Sequence, residues 1–350
     1  MMPHVASTVH RRHQPRGELY CGELVSPFEC PERWDHIVTA LDEAGFGEAV
    51  GPEPISIDTL HEIHDPAFVT FLSEAWDIWS GAGQTGDMIP TCFPGRRMQH
   101  REPEDIDGRL GYFAFAAETS IASGTWEAAF EAAAIARTTQ RLVSAAANGS
   151  GSAAAFALCR PPGHHAGKDY FGGYCYLNNA AIAAQGFRSD GAERVAVIDV
   201  DFHHGNGTQD IFWERDDVFF ASLHGDPRHE FPHFLGFADE TGAGAGEGST
   251  ANYPLLPGTD AATWLDALDD AIKRVTEWGA EALVISLGVD TFESDPISSF
   301  RLGSDDFTTY GRRLGAMGLP TVYCMEGGYA VAEIGTNTVN VLTGHLDGAA

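Results

Sequence analysis

The sequence predicts an α/β fold, a single domain built on a parallel β-sheet with helices on both faces. Three observations carry that expectation. Short apolar runs rich in β-branched and aromatic residues alternate with longer helix-like stretches through most of the second half. Those runs are almost continuously hydrophobic, as strands covered on both faces must be. Strand–helix alternation is also the connectivity a parallel sheet requires. The chain has 350 residues and neither a repeat nor a linker that would split it.

In chain order, residues 1–17 carry basic groups but no apolar core of signal-peptide length. Residues 32–45 and 66–79 read as amphipathic helices, while 23–32 and 84–105 read as long irregular loops. Loops of that length in a compact chain are usually functional or interface-forming. The Ala/Gly/Ser stretch 144–155 reads as a helix end running through a surface turn. Strands are predicted at 156–159, 194–200, 218–223, 282–287 and 320–325, with helices at 177–187, 205–214, 263–279 and 304–317. The third of these helices places Trp264, Leu265, Leu268, Ile272 and Val275 on one stripe. The glycine-rich 242–248 has neither a strand before it nor a helix after it, so it reads as a flexible loop and not a dinucleotide-binding turn.

Hydrophobic residues make up 43% of the chain and charged residues 20%, which excludes disorder, collagen and coiled coil. Fifty acidic side chains against 21 basic ones give a formal charge of −29. Such a field repels phosphate backbones and anionic membranes and draws in cations, so neither nucleic acid nor a membrane is an expected partner. On charge alone, solubility is the favoured explanation. No apolar run reaches the ~18 residues of a membrane helix. The six cysteines form no CxxC pair, and Cys159, Cys175 and Cys324 sit in apolar runs as small hydrophobes. A reduced, cytoplasmic setting is expected.

The chemistry is written at strand ends. In VAVIDVDFHHGNGTQD an apolar strand finishes in Asp199, Asp201 and His203, which alternate and so project to one side. The carboxyl end of a strand is where open α/β sheets place ligands. Asp201 and His203 make a metal half-site, although Asp-x-His by itself also fits a hydrogen-bonded turn. ALVISLGVD ends in Asp290, a third ligand from another strand or equally a helix N-cap. Two carboxylates, one imidazole and an open position suit catalytic Zn, Mn or Fe(II). RPPGHHAG follows a predicted strand and offers His164 and His165 as a general base and its electrostatic partner. In VYCMEGGY the glycines present Tyr329, which could donate to a developing oxyanion or simply pack. His224 and His233 read as structural.

Together the motifs RPPGHHAG, GGYCYLNNAAIAA, DVDFHHGNGTQDIF, SLHGD, ISLGVDTFESDP and MEGGY resemble, in order, those of the zinc-dependent deacetylases of the arginase/deacetylase fold. GELYCGELVSPFECPERW, DIDGRLGYFAFAAETSIASGTWEAA and HEFPHFLGFADETGAGAGEGSTANYPL are similar to segments of the acetylpolyamine amidohydrolases, which extends the likeness over nearly the whole chain. The resemblance implies one deacetylase domain over 1–350, with an N-terminal loop at about 18–31 and an irregular insertion at about 80–106 near the active-site mouth. It implies Zn²⁺ on Asp201, His203 and Asp290, with His165 as general base, His164 paired with Asp199, and Tyr329 as oxyanion donor. Asn206 stands where histone-type relatives often carry Asp. Tyr174 and Phe231 match tunnel aromatics; Glu118, and less closely Asp107, match acids that meet a distal ammonium. A structural K⁺ around Asp199, Asp201, His203 and Ser222 and a homodimer through the 18–31 loop are also implied.

The function expected is hydrolysis of N-acetyl amides of putrescine, cadaverine or spermidine to free amine and acetate. A lysine deacetylase acting on peptides or proteins is the enzymatic alternative. A binuclear manganese ureohydrolase would need a second metal's acid set, where this chain has His-His and Gly-Gly-Tyr. A catalytically dead acyl-amine binding module would need an incomplete site, and every metal and acid/base position is filled.

Overall fold

The structure is a computed structural model that describes residues 2–95, 97, 99–145 and 153–350. The strands are β1 (His4–Val5), β2 (Glu18–Tyr20), β3 (Glu23–Val25), β4 (Ala154–Ala157), β5 (Val195–Asp199), β6 (Val218–Gly225), β7 (Thr250–Leu255), β8 (Ala282–Leu287) and β9 (Thr321–Met325). The helices are α1 (Pro31–Glu43), α2 (Ile57–His61), α3 (Pro66–Gly81), α4 (Ile106–Phe113), α5 (Thr125–Ser144), α6 (Asn179–Ser189), α7 (Asn206–Phe212), α8 (Ala261–Trp278), α9 (Ser304–Gly315) and α10 (Ile334–Gly348). Seven strands form one sheet in the order β1-β4-β9-β8-β5-β6-β7, and every pairing in it is parallel. The predicted class holds.

Alternation along the strands explains the two-sided burial. Val195 and Val197 of β5 join one core with residues of α3, α5 and α6, while Ala196 and Ile198 join another with residues of α1, α8, α9 and α10. Both faces of the sheet are therefore dry. α8 shows how sequence sets such a face: Trp264, Leu265, Leu268 and Val275 are buried, Asp260 caps its first turn by accepting the Thr263 N–H, and Gly279 ends it in a left-handed conformation. Ile272, on the predicted stripe, packs against the same core partly buried.

The topology also locates the site. From β5 the chain winds outward through β6 and β7, then returns to place β8 on the other side of β5. That reversal between β5 and β8 is a switch point, where the loops leaving the two strand ends diverge and open a crevice.

Several elements differ from expectation. The 18–31 segment, expected as a loop, contains the antiparallel hairpin β2–β3, closed at Cys21 and Gly22, both with positive φ. The edge strands β1 and β7 and the helices α2, α4 and α10 go beyond the expected elements, as does the course of α5 before its expected end at 144, and 242–248 includes a 3₁₀ turn at Gly244–Gly246. In the Ala/Gly/Ser stretch, α5 ends at Ser144 and β4 begins at Ala154; residues 146–152 lie outside the described residues. All six cysteines are free. No helix among the described residues is long and apolar enough to cross a membrane.

Candidate metal centre and amide pocket

Asp201 and His203 leave the end of β5, and Asp290 leaves the end of β8, the neighbouring strand. All three are buried, and one ligand atom from each lies within 4.8 Å of the others. His203 Nδ1 stands 3.0 Å from Asp290 Oδ2 and 3.3 Å from Asp201 Oδ1. Backbone amides aim the carboxylates: Gly327 N–H donates to Asp201 Oδ2 at 2.7 Å, and Phe202 N–H donates to Asp290 Oδ1 at 2.8 Å. A Cβ on Gly327 would stand 2.5 Å from an oxygen of both acids, so only glycine lets that backbone close over them. Two acids and an imidazole converging in a buried cradle fit a divalent cation such as Zn²⁺, which would cancel the repulsion between the carboxylates.

The histidine pair lies against this cluster. Their rings are 4.0 Å apart, yet each has a different partner. His164 Nδ1 lies 2.9 Å from Asp199 Oδ2, and His165 Nδ1 lies 2.7 Å from Asn206 Oδ1. Burial would lower His164, but the charges of Asp199 and Asp201 outweigh it and raise its pKa to about 10. His165 is driven well below the usual imidazole value by burial and by the His164 charge. The two neighbouring imidazoles are therefore pushed in opposite directions, a difference that acid–base chemistry can use. Gly173, with φ of 57°, lies against His165; a Cβ there would come within 2.2 Å of its ring.

A pocket of about 460 Å³ opens above the cluster. His165, His203 and Tyr329 reach its floor, and Tyr174 and Phe231 stand in its walls. Phe231 meets His165 edge-on at 5.1 Å, and Tyr174 meets Tyr329 at 5.7 Å. Glu118 lines the pocket, with its Oε1 accepting the Gly173 N–H at 2.9 Å and burial raising its pKa. Ser222 is paired across the β5–β6 register with Asp199, and its hydroxyl contacts His224 Nδ1 at 2.8 Å.

Asp107 is exposed in the first turn of α4, where its N–H donates to the Asp105 side chain, and it is not among the residues lining this pocket. None of the described residues of 80–106 lines it either. His224 is buried between Ser222 and the Gly236 carbonyl, a structural role, whereas His233 lines the pocket.

Sequence reasoning missed several participants. Leu19, Tyr20 and Cys21 of the hairpin form one rim, with His229, Glu230 and Ile297 elsewhere on the wall. Glu18, also in the wall, accepts the Tyr174 hydroxyl at 2.9 Å and the Phe28 N–H at 3.2 Å. Asp295 accepts the Tyr329 N–H at 2.7 Å, and Arg33 lies 5.0 Å from the Tyr329 ring while donating to the Gly328 carbonyl. The signal for Asp295 was its place in the ISLGVDTFESDP motif, just past Asp290.

The histone deacetylase domain matches residues 27–345. The chain is 55% identical to an acetylpolyamine amidohydrolase of Mycoplana ramosa over 97% of its length and 98% of that protein's. It is 51% identical to acetylpolyamine amidohydrolase 2 of Pseudomonas aeruginosa, over 97% of each. A crystal structure of an acetylpolyamine aminohydrolase from Burkholderia pseudomallei superposes with a TM-score of 0.92 at 35% identity, covering 99% of this chain and 98% of that one. Family model, full-length relatives and superposed fold agree with the site geometry: the chain belongs to the histone deacetylase family, in its acetylpolyamine amidohydrolase group.

Proposed function

We propose that the protein hydrolyses the acetyl amide of small cationic amines such as acetylputrescine, acetylcadaverine and acetylspermidine, giving acetate and the free amine. The observation that carries this reading is the oppositely set histidine pair facing Asp201, His203 and Asp290 beneath an aromatic pocket with carboxyls in its wall. Zn²⁺ on those three residues would polarise the amide carbonyl and lower the pKa of a water. His165 accepts the proton of the attacking water at Nε2, while Asn206 holds Nδ1. The same Nε2 returns the proton to the departing nitrogen as the C–N bond breaks. His164 stays protonated against Asp199 and lends positive charge. Tyr329, kept as a phenol by burial, donates its hydroxyl to the developing oxyanion. Tyr174 and Phe231 flank the methylene chain, and Glu118 with Glu18 faces the distal ammonium.

Asp199, Asp201, His203 and Ser222 are the candidate surroundings of a structural K⁺. A homodimer through the N-terminal hairpin is supported by apolar side chains left in solvent, with Tyr20 40% and Leu24 67% exposed. Six free thiols support a reducing, cytoplasmic compartment.

The test compares kcat/KM for N-acetylputrescine with that for an acetyl-lysine peptide on zinc-loaded protein. Preference for the small diamine is expected, because the hairpin narrows the mouth. Preference for the peptide would make the protein a lysine deacetylase instead.

A further inference from the structure

One buried carboxyl beside the histidine pair has no task in this reaction. Glu326 follows β9 and is fully buried. Its Oε2 accepts the Gly163 N–H at 2.6 Å and the His164 N–H at 3.1 Å. Its Oε1 is also buried and finds no hydrogen-bond partner among the described residues. A Glu326 oxygen, Cys175 Sγ and a ring nitrogen of His164 lie within 4.8 Å of one another. A half-satisfied buried carboxyl destabilises a fold relative to an apolar side chain of similar volume, so stability alone does not account for it. Burial pushes its pKa up to about 8.

His164 is held by three handles. Its ring meets Asp199 at the end of β5, and its carbonyl accepts the Gly207 and Thr208 N–H groups in the first turn of α7. Its own N–H goes to Glu326, three residues before Tyr329. The third handle ties the histidine turn to the strand end that presents the tyrosine.

Resting on the reaction proposed above, we infer that Glu326 is a positioning residue, whose carboxyl clamps the Gly163 and His164 peptides to the end of β9 and so sets the spacing of the histidine pair and Tyr329 across the substrate carbonyl. A displacement of about 1 Å in such a constellation costs on the order of 10² in rate.

The experiment measures kcat, KM, bound zinc and thermal melting for Glu326→Ala and Glu326→Gln. Glu326→Ala is expected to lower kcat about 10²-fold with KM and zinc content unchanged. Glu326→Gln keeps an oxygen for both N–H groups and is expected to restore most of the rate. Should Glu326→Ala not fold, Glu326→Asp, whose shorter arm drags the turn out of place, carries the same expectation of lower kcat at unchanged KM. The clamp is overturned if the shortened or truncated variant keeps its kcat, or loses it only in proportion to zinc or folded protein. A folded Glu326→Gln that fails to recover would assign the effect to charge and overturn it equally. If the wild-type enzyme prefers an acetyl-lysine peptide, the series is run on that substrate, because the clamp serves the amide carbonyl whichever amine departs.

Discussion

His164 and His165 are neighbours in sequence and opposites in chemistry, and beside burial and the charges around them part of the difference lies in the partner of each ring. Asp199 offers His164 a full negative charge, whereas Asn206 offers His165 only a carbonyl dipole. A carboxylate stabilises an imidazolium that an amide can only orient. Replacing Asn206 with Asp should therefore raise the pKa of the base, so that it stays protonated to higher pH. The acidic limb of the kcat/KM profile should move upward by about one unit or more. A limb that stays in place would remove His165 as the titrating base. At this scale the sequence was informative wherever a role depends on neighbours in the chain. The alternation of Asp199, Asp201 and His203, and an acid just past another strand, announced a converging cluster. Glu18 and Glu326 were silent, because their partners lie far along the chain: Tyr174 is 156 residues from Glu18, and Gly163 is 163 residues from Glu326.

Elements were legible in proportion to their length and apolar character. β5, β8 and β9 were evident as buried runs, but β1 has two residues and β7 carries Pro254 at its edge position, so neither stands out from loop. The end of α5 was legible at the start of the Ala/Gly/Ser stretch, but the course of the helix before it was not. The helix is rich in alanine and buried over much of its circumference, which blurs the one-sided periodicity by which a surface helix is recognised. The hairpin β2–β3 has three-residue strands and a Cys-Gly turn instead of the common Asn-Gly, yet it carries Glu18 into the pocket wall. Burial raises the Glu18 pKa to about 7; the Tyr174 hydroxyl and Phe28 amide oppose the rise, while the charges of Glu118 and Glu29 reinforce it. Protonation removes the negative charge that attracts an ammonium, so KM for N-acetylputrescine should increase as pH falls through about 7. Glu18→Gln should raise KM at high pH and flatten that dependence. Coincident KM–pH curves for the two proteins would exclude the hairpin carboxyl from cation recognition.

For the molecule as a whole, the parallel sheet and its switch point are consequences of strand–helix alternation, which is why the fold class could be read before any site was located. Which loops face each other across the crevice could not be read, since strand order depends on packing between distant segments. Net charge is a property of the same scale and needs no coordinates. A field from 29 excess negative charges enriches cations near the surface and speeds their encounter with a concave, carboxylate-lined mouth. Salt shortens its reach, from a Debye length of about 30 Å at 0.01 M to nearly 3 Å at 1 M. If the field serves catalysis, kcat/KM for N-acetylputrescine should fall about tenfold or more across that range. N-acetylbutylamine, of similar length but without the ammonium, should change little, and kcat at saturation should change little for either amide. An equal response of both substrates to salt would show that the acidity serves solubility and leaves recognition to the carboxyls in the pocket wall.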